Sequence, residues 1–355
     1  MNATLTKQPR TQALAEQGLG VALLHLERGD LTATRPLLAD AVAGGVSIGV
    51  NASLFHGAPA LEFVLGRTGS AGQTVTSAVD RVVATRLAAA ARRRKEGRLP
   101  VLAEFDLIQG LAGLGAVLLS RPHASQLREV LGHLIGLAGP AAADPSVPGW
   151  WCAQGPGHEE IPGGHGNNGM AHGIAGILSL CALAACHGVD VPGQRSAIET
   201  FSDWLELHGG YWTTRDQLTA TTKPKMPRGR PSWCYGDLGI ARARQLAAIA
   251  LGDRARARTA ENASVAALDD SVRIGLITDA SLCHGWAGLL AITRAIAADS
   301  PDPGRLSGHV AQLTDRVAAG IDGLAKPGFL EGRAGARLAL EGTDVIGWTR
   351  ALLIT

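Results

Sequence analysis

The feature that most limits how this chain can fold is a repeat. A glycine, two further residues and a second glycine or alanine recur at the head of stretches rich in Leu, Ile and Ala. Six copies align, beginning at Gly57 (Gly-Ala-Pro-Ala), Gly110 (Gly-Leu-Ala-Gly), Gly173 (Gly-Ile-Ala-Gly), Gly236 (Gly-Asp-Leu-Gly), Gly285 (Gly-Trp-Ala-Gly) and Gly332 (Gly-Arg-Ala-Gly), at spacings of 53, 63, 63, 49 and 47 residues. Periods of this size mark stacked supersecondary units. Each interval has room for two helices, the second supplied by stretches such as Thr74 to Ala91, Gln126 to Leu137, Ala197 to Leu207, Ala263 to Ile274 and Val310 to Leu324. Strand signals are nearly absent. Small residues at i and i+3 on a first helical turn allow close approach of a neighbouring helix, which offsets the roughly 1 kcal/mol that Gly costs against Ala. The expectation is an all-α chain, residues 1–355 forming a single α/α toroid of six helix pairs with the glycine-marked helices inside. An open superhelical array of helix pairs uses the same kind of repeat.

Composition narrows the function classes. The chain has 355 residues, of which 46 are Gly and 14 aromatic, with a formal net charge of +2. Packing must therefore rest on Ala, Leu and close backbone approach. A charge this near zero argues against nucleic acid as partner, and the one tight basic run, Arg92 to Lys95, reads as a solvated helix end where cations suit the dipole. Met1 to Arg10 lacks the basic start and apolar core of a signal peptide, which points to the cytoplasm. The most apolar stretch, Ile174 to Cys186, is 13 residues long, short of the ~20 that span a bilayer. Five cysteines, an odd number, disfavour a disulfide framework and leave metal binding or catalysis open.

Residues just before each repeat glycine should occupy equivalent places around one centre. In order they are Phe55-His56, Ile108-Gln109, Ala171-His172, Cys234-Tyr235, Cys283-His284 and Leu330-Glu331. Helix N-termini favour thiolates through the dipole and free N–H groups. Cys234, Cys283 and His284 thus supply two sulfurs and an imidazole from adjacent repeats, a three-ligand set for zinc that leaves a fourth position open, as catalytic rather than structural zinc requires. The alternative is that both cysteines are ordinary core residues. Their coincidence with the repeat register favours the metal.

The motifs Trp233-Cys234-Tyr235-Gly236 and Cys283-His284-Gly285-Trp286-Ala287-Gly288, preceded by Gly169-Met170-Ala171-His172-Gly173-Ile174-Ala175-Gly176, resemble the signature of the lanthionine synthetase C-like family, and the repeats extend the likeness over nearly the whole chain. The resemblance implies an α/α toroid with one catalytic zinc that closes thioether rings in a dehydrated ribosomal peptide. Matched to the family motif, Cys234, Cys283 and His284 are the implied ligands, and Asp106, His172, Tyr235 and Arg230 the implied active-site residues. One departure is Leu238, where the family often has Pro, which concerns the start of the inner helix.

On this reading His172 is the general acid that protonates an enolate, and Asp106 either orients it or caps a helix N-terminus. Tyr235 either hydrogen-bonds a ligand or the developing oxyanion, or packs beside the metal. Arg230, in a loop with Lys223, Lys225 and Arg228, either grips an acidic leader or the substrate carbonyl, or is merely solvated. His56, Gln109 and Glu331 share the register and are left as cavity lining. Trp150 to Asn168, with Cys152, His158, Glu159, Glu160 and His165, matches no standard metal cage and reads as a mobile substrate-facing loop. Cys181 and Cys186 read as core. Rival functions are a zinc-dependent prenyltransferase-like subunit, which the low aromatic content disfavours, a zinc-stabilised thiol or peptide-binding scaffold without turnover, and a carbohydrate-active toroid, which would need paired carboxylates. A dehydratase partner is a further expectation.

Overall fold

A computed structural model describes residues 12–69, 71–121, 123, 125–219 and 229–355. The α/α toroid is present, and among the described residues it has seven inner helices: Gly18–Glu27, Ala58–Gly66, Leu111–Leu118, Ile174–Cys186, Asp237–Leu251, Trp286–Ala298 and Arg333–Glu341. Each packs on the next in chain order, and the last packs on the first. The helix not marked by the repeat is Gly18–Glu27, whose N-cap is Gln17 where the other six have glycine. Outer helices follow the first six, at Leu31–Ala43, Gln73–Lys95, Ser125–Ile135, Gln194–His208, Arg254–Asp269 and Ser307–Gly320. Their apolar stripes explain why they lie outside: in Ser125–Ile135 the buried Leu127, Val130, Leu131 and Leu134 fall on one face. Inner helices such as Leu111–Leu118 are buried on every side. Arg92 to Lys95 do end a helix, as the dipole argument expected.

Backbone hydrogen bonds between equivalent loops close the ring. Ala171 N donates to Cys234 O (3.2 Å), Cys234 N to Cys283 O (3.1 Å), Cys283 N to Leu330 O (2.9 Å) and Leu330 N to Ala15 O (2.9 Å), so the last repeat is joined to the first. This continuity rules out the open array. In the five repeats that have a second glycine, it has a different reason from the one expected. A Cβ at Gly113, Gly176, Gly239, Gly288 or Gly335 would collide with the carbonyl oxygen of Leu107, Met170, Trp233, Leu282 or Phe329, six residues earlier in its own chain. Close approach is thus made first by the repeat's own preceding loop, and only secondarily by the neighbouring repeat, as where Leu54 Cβ lies 3.2 Å from the Gly113 position.

The C-terminal residues pack into the ring against both inner helices and loops. Leu352, Leu353 and Ile354 are fully buried. Trp233 Nε1 donates to Leu352 O (3.0 Å) and Arg242 Nε to Ile354 O (2.7 Å), while Glu27 accepts from Val345 N (2.8 Å) and Ile346 N (3.1 Å). Arg242, 1% exposed, is paid for by Asp299 (2.7 Å) and Gln245 (2.5 Å).

Strands are present, against expectation. β1 (Trp151–Gln154), β2 (Glu160–Asn167) and β3 (Trp212–Thr214) form an antiparallel sheet in that order. The stretch read as a mobile loop is therefore a hairpin. Its Gly-, Pro- and His-containing second strand has little intrinsic strand preference, so pairing on both sides, not propensity, makes it a strand. Among the described residues no helix is long and apolar enough to cross a membrane.

A candidate metal centre at the loop end of the ring

The hydrogen bond from Cys234 N to Cys283 O places two neighbouring loops in contact, and it brings their side chains together. The ligand atoms of Cys234, Cys283 and His284 all lie within 4.8 Å of one another, and no other such group occurs among the described residues. Cys234 is buried at the head of the helix Asp237–Leu251, and Cys283 and His284 are half-buried at the head of Trp286–Ala298. The residues fit a soft divalent ion on their chemistry. A shared hydrogen from Cys283 and a neighbouring His284 hold the Cys234 thiol well below its usual range, while the same sharing and burial push the Cys283 thiol up. His284 rises to about 9, chiefly because Asp279 Oδ2 lies 3.2 Å from its Nε2 and secondarily because of Cys234. That contact fixes the ring and leaves its other nitrogen for the sulfurs, the arrangement by which a carboxylate tunes a metal-ligating histidine. Asp279 in turn is held far below the carboxylate range by His284 and Ser281. Asp279 escaped the sequence reading. The signal was available, since it stands six residues before Gly285 in a loop whose ring positions had been singled out.

Asp106 lies against His172 and does not cap the helix Leu111–Leu118, whose N-cap Gly110 has no side-chain cap hydrogen bond. Its Oδ1 instead closes the turn before that helix, accepting from Gln109 N (2.7 Å) and Gly110 N (2.8 Å), and its Oδ2 lies 2.6 Å from His172 Nδ1. With Asp106 buried, the imidazole is fixed by a carboxylate that is itself fixed by the backbone. His172 stacks on Tyr235, ring centroids 6.1 Å apart at 24°. Tyr235 follows Cys234 directly, and its hydroxyl accepts from Asn167 Nδ2 at 2.9 Å. Burial pushes its phenol far above the ordinary value. So His172, Asp106 and Tyr235 are assembled beside the Cys-Cys-His group. Arg230 lies in the loop leading to Cys234, half-buried, its carbonyl accepting from Tyr211 Oη at 3.3 Å. Burial pushes the Tyr211 phenol up, and the shared hydrogen with Cys234 and burial push the Cys283 thiol up; the Arg230 charge is near enough to both to oppose these rises in part. Lys223, Lys225 and Arg228 lie outside the described residues.

Of the remaining ring positions, Glu331 is taken up in an ion pair although its charge is felt at Cys283. Glu331 pairs with Lys326 (2.5 Å), which also reaches Glu16 (3.1 Å). Cys181 is buried, its thiol raised to about 12 by desolvation, as a core residue should be, whereas Cys186 is exposed at the helix end and is not core. In the hairpin, Cys152 and His165 are buried, and burial lowers His165. Both tyrosines and Trp212 gather at this end: Tyr211 and Tyr235 have centroids 5.5 Å apart, Trp212 and Tyr235 6.3 Å. A low aromatic total therefore says little about how the site is lined, and the composition argument against a prenyltransferase-like pocket loses force.

Comparison decides the family. The family model for lanthionine synthetase C-like protein matches residues 13–342. No curated protein matches the sequence. Among solved structures, one described as nisin cyclase superposes with a TM-score of 0.79 over 97% of this chain and 92% of its own, at 18% identity. That likeness carries the fold, and the family match spans the ring, the cysteine pair and both histidine motifs. This chain belongs to the lanthionine synthetase C-like protein family.

Proposed function

We propose that the protein is a zinc-dependent cyclase that adds cysteine thiols of a dehydrated ribosomal peptide to its own dehydroalanine or dehydrobutyrine residues, forming thioether rings. The single observation that carries this reading is the convergence of Cys234, Cys283 and His284 next to the His172–Asp106 pair. A zinc ion held by Cys234, Cys283 and His284 would supply an open position at which a peptide thiol, ordinarily near pKa ~8.5, ionises while remaining nucleophilic. Asp279 would hold His284 in its ligating orientation. When sulfur attacks the β-carbon, the alkene electron pair moves onto the acyl oxygen, and His172 delivers a proton to the α-carbon. Asp106 fixes the hydrogen on His172 Nδ1, so that Nε2 is the atom left to face substrate. Tyr235 supplies a hydrogen bond to the developing oxyanion, and Arg230 neutralises charge at the entrance. Five free cysteines suit a reducing, cytoplasmic setting, and a dehydratase must act on the peptide first.

The test has two arms. Metal analysis should find one zinc per chain. Incubation with a dehydrated, cysteine-containing peptide should remove its free thiol with no change in mass. A thiol loss no faster than in buffer, for peptides with several spacings between cysteine and dehydro residue, refutes the cyclase reading.

A further inference from the structure

The hairpin inserted beside the ring carries two buried polar side chains, Asn167 and His165, that the mechanism above does not use. Their hydrogen-bond polarity can be assigned link by link. Gly169 N lies 3.0 Å from one amide atom of Asn167, and a backbone N–H can only donate, so that atom is Oδ1. The atom facing the Tyr235 hydroxyl at 2.9 Å is therefore Nδ2, which can only donate. A second chain of reasoning reaches the same orientation. His165 Nδ1 lies 3.2 Å from Cys152 O, an acceptor, so Nδ1 bears the hydrogen, and burial favours the neutral ring. Its Nε2 is then an acceptor, and Asn167 Nδ2 stands 3.4 Å away to donate to it. Both hydrogens of the Asn167 amide and one lone pair of its oxygen are thus committed.

The consequence falls on Tyr235. Its oxygen accepts from Asn167, so its own hydrogen cannot lie in that bond, and no acceptor for it occurs among the described residues. We propose that Asn167, itself oriented by Gly169 and His165, is a positioning residue that forces the Tyr235 hydroxyl to act as a donor to the substrate, toward the acyl oxygen of the dehydro residue. This rests on the cyclase reading. In the step it serves, the C–S bond forms as the C=C π pair moves onto the acyl oxygen; the hydroxyl donates a hydrogen bond to that oxygen and keeps its proton. The proton lost by the thiol reaches the α-carbon through His172, so the addition balances with no other reactant.

Asn167→Asp tests it, because a carboxylate accepts where the amide donated and would capture the hydroxyl hydrogen. With a dehydrated peptide, Asn167→Asp and Tyr235→Phe should each lower kcat by about 10²-fold, the size of one lost oxyanion donor, with KM unchanged, and the double variant should be no slower than Tyr235→Phe. Losses that multiply in the double variant, or a raised KM with kcat intact, overturn the proposal. Wild-type protein that consumes no thiol overturns the cyclase reading and the role assigned to this hydroxyl together. A readout that needs no turnover covers the case in which Asn167→Asp does not fold. In 15N-labelled protein both side-chain amide hydrogens of Asn167 should be protected from exchange, and Tyr235→Phe should free one of them. Unaltered protection of both in Tyr235→Phe means the amide is turned the other way, and the inference fails.

Discussion

Asp106 offers the sharpest separation of stability from catalysis, because its two oxygens do different work. Oδ1 accepts from Gln109 N and Gly110 N, and Oδ2 meets His172 Nδ1. Asp106→Ala strips both backbone donors of their partner. A buried donor left unsatisfied costs ~1–3 kcal/mol; Gly110 N is buried and suffers the larger share, while Gln109 N is partly buried and regains water. A loss of about 3 kcal/mol follows, and since a chain of this size shifts by roughly 1.3 °C per kcal/mol, Tm should fall by about 4 °C. Asp106→Asn keeps an oxygen at the Oδ1 place, so its Tm should stay within ~1 °C of wild type. Its new amide hydrogens, however, point at His172 Nδ1. An imidazolium carries N–H on both nitrogens and would meet that amide donor to donor, so proton delivery is lost and kcat should drop by about 10²-fold or more. Scanning calorimetry and thiol-consumption kinetics on the two variants give the answer. Equal destabilisation by both, or an Asn variant with full turnover, would refute the division of labour between the oxygens.

Three further outcomes follow. Cys283→Ala should abolish stoichiometric zinc by mass spectrometry of the metal while the protein still folds; full occupancy in that variant contradicts the ligand set. In metal-free protein His284 is protonated up to about pH 9 and the Cys283 thiol is pushed higher still, so an ion must displace a proton from each: zinc affinity should rise with pH and go on rising above pH 9. Calorimetry in two buffers of different ionisation enthalpy should register proton release at pH 7, and Asp279→Asn, by removing the carboxylate that raises His284, should lower the number of protons released. Proton release unchanged by Asp279→Asn would show that His284 does not bind. Gly288→Ala puts a Cβ against the carbonyl of Leu282 and within 3.4 Å of Trp233 Cβ. Both neighbours are hemmed in, so overpacking should destabilise by at least the ~1–3 kcal/mol usual in cores, measured by denaturant unfolding; a loss under ~0.5 kcal/mol would mean the loop yields freely.

The register of glycines made the ring and its centre legible. Equivalent positions before Gly236 and Gly285 put Cys234, Cys283 and His284 at one end, because helices repeated around an axis must bring equivalent turns to a common middle. The helix Gly18–Glu27 was missed because Gln17 replaces the first glycine; its Gly20 retains the second, pressed by the backbone of Phe329 and Leu14, so half of the signal was there. The hairpin Trp151–Asn167 could not be read, since neither alternation nor β-branched residues mark it and its pairing with Trp212–Thr214 spans some 45 residues of chain.

What the linear chain settles by itself is periodic: which helices repeat, which lie inside, and which donors share a register, all consequences of local geometry applied at equal steps. Tertiary structure decides what depends on groups meeting from unlike places. Asp279 turning His284, Asp106 serving a turn and an imidazole together, and Asn167 setting a tyrosine hydroxyl are each matters of a few tenths of an ångström and of donor facing acceptor. Spacing along a chain carries no information on those directions; only packing fixes them.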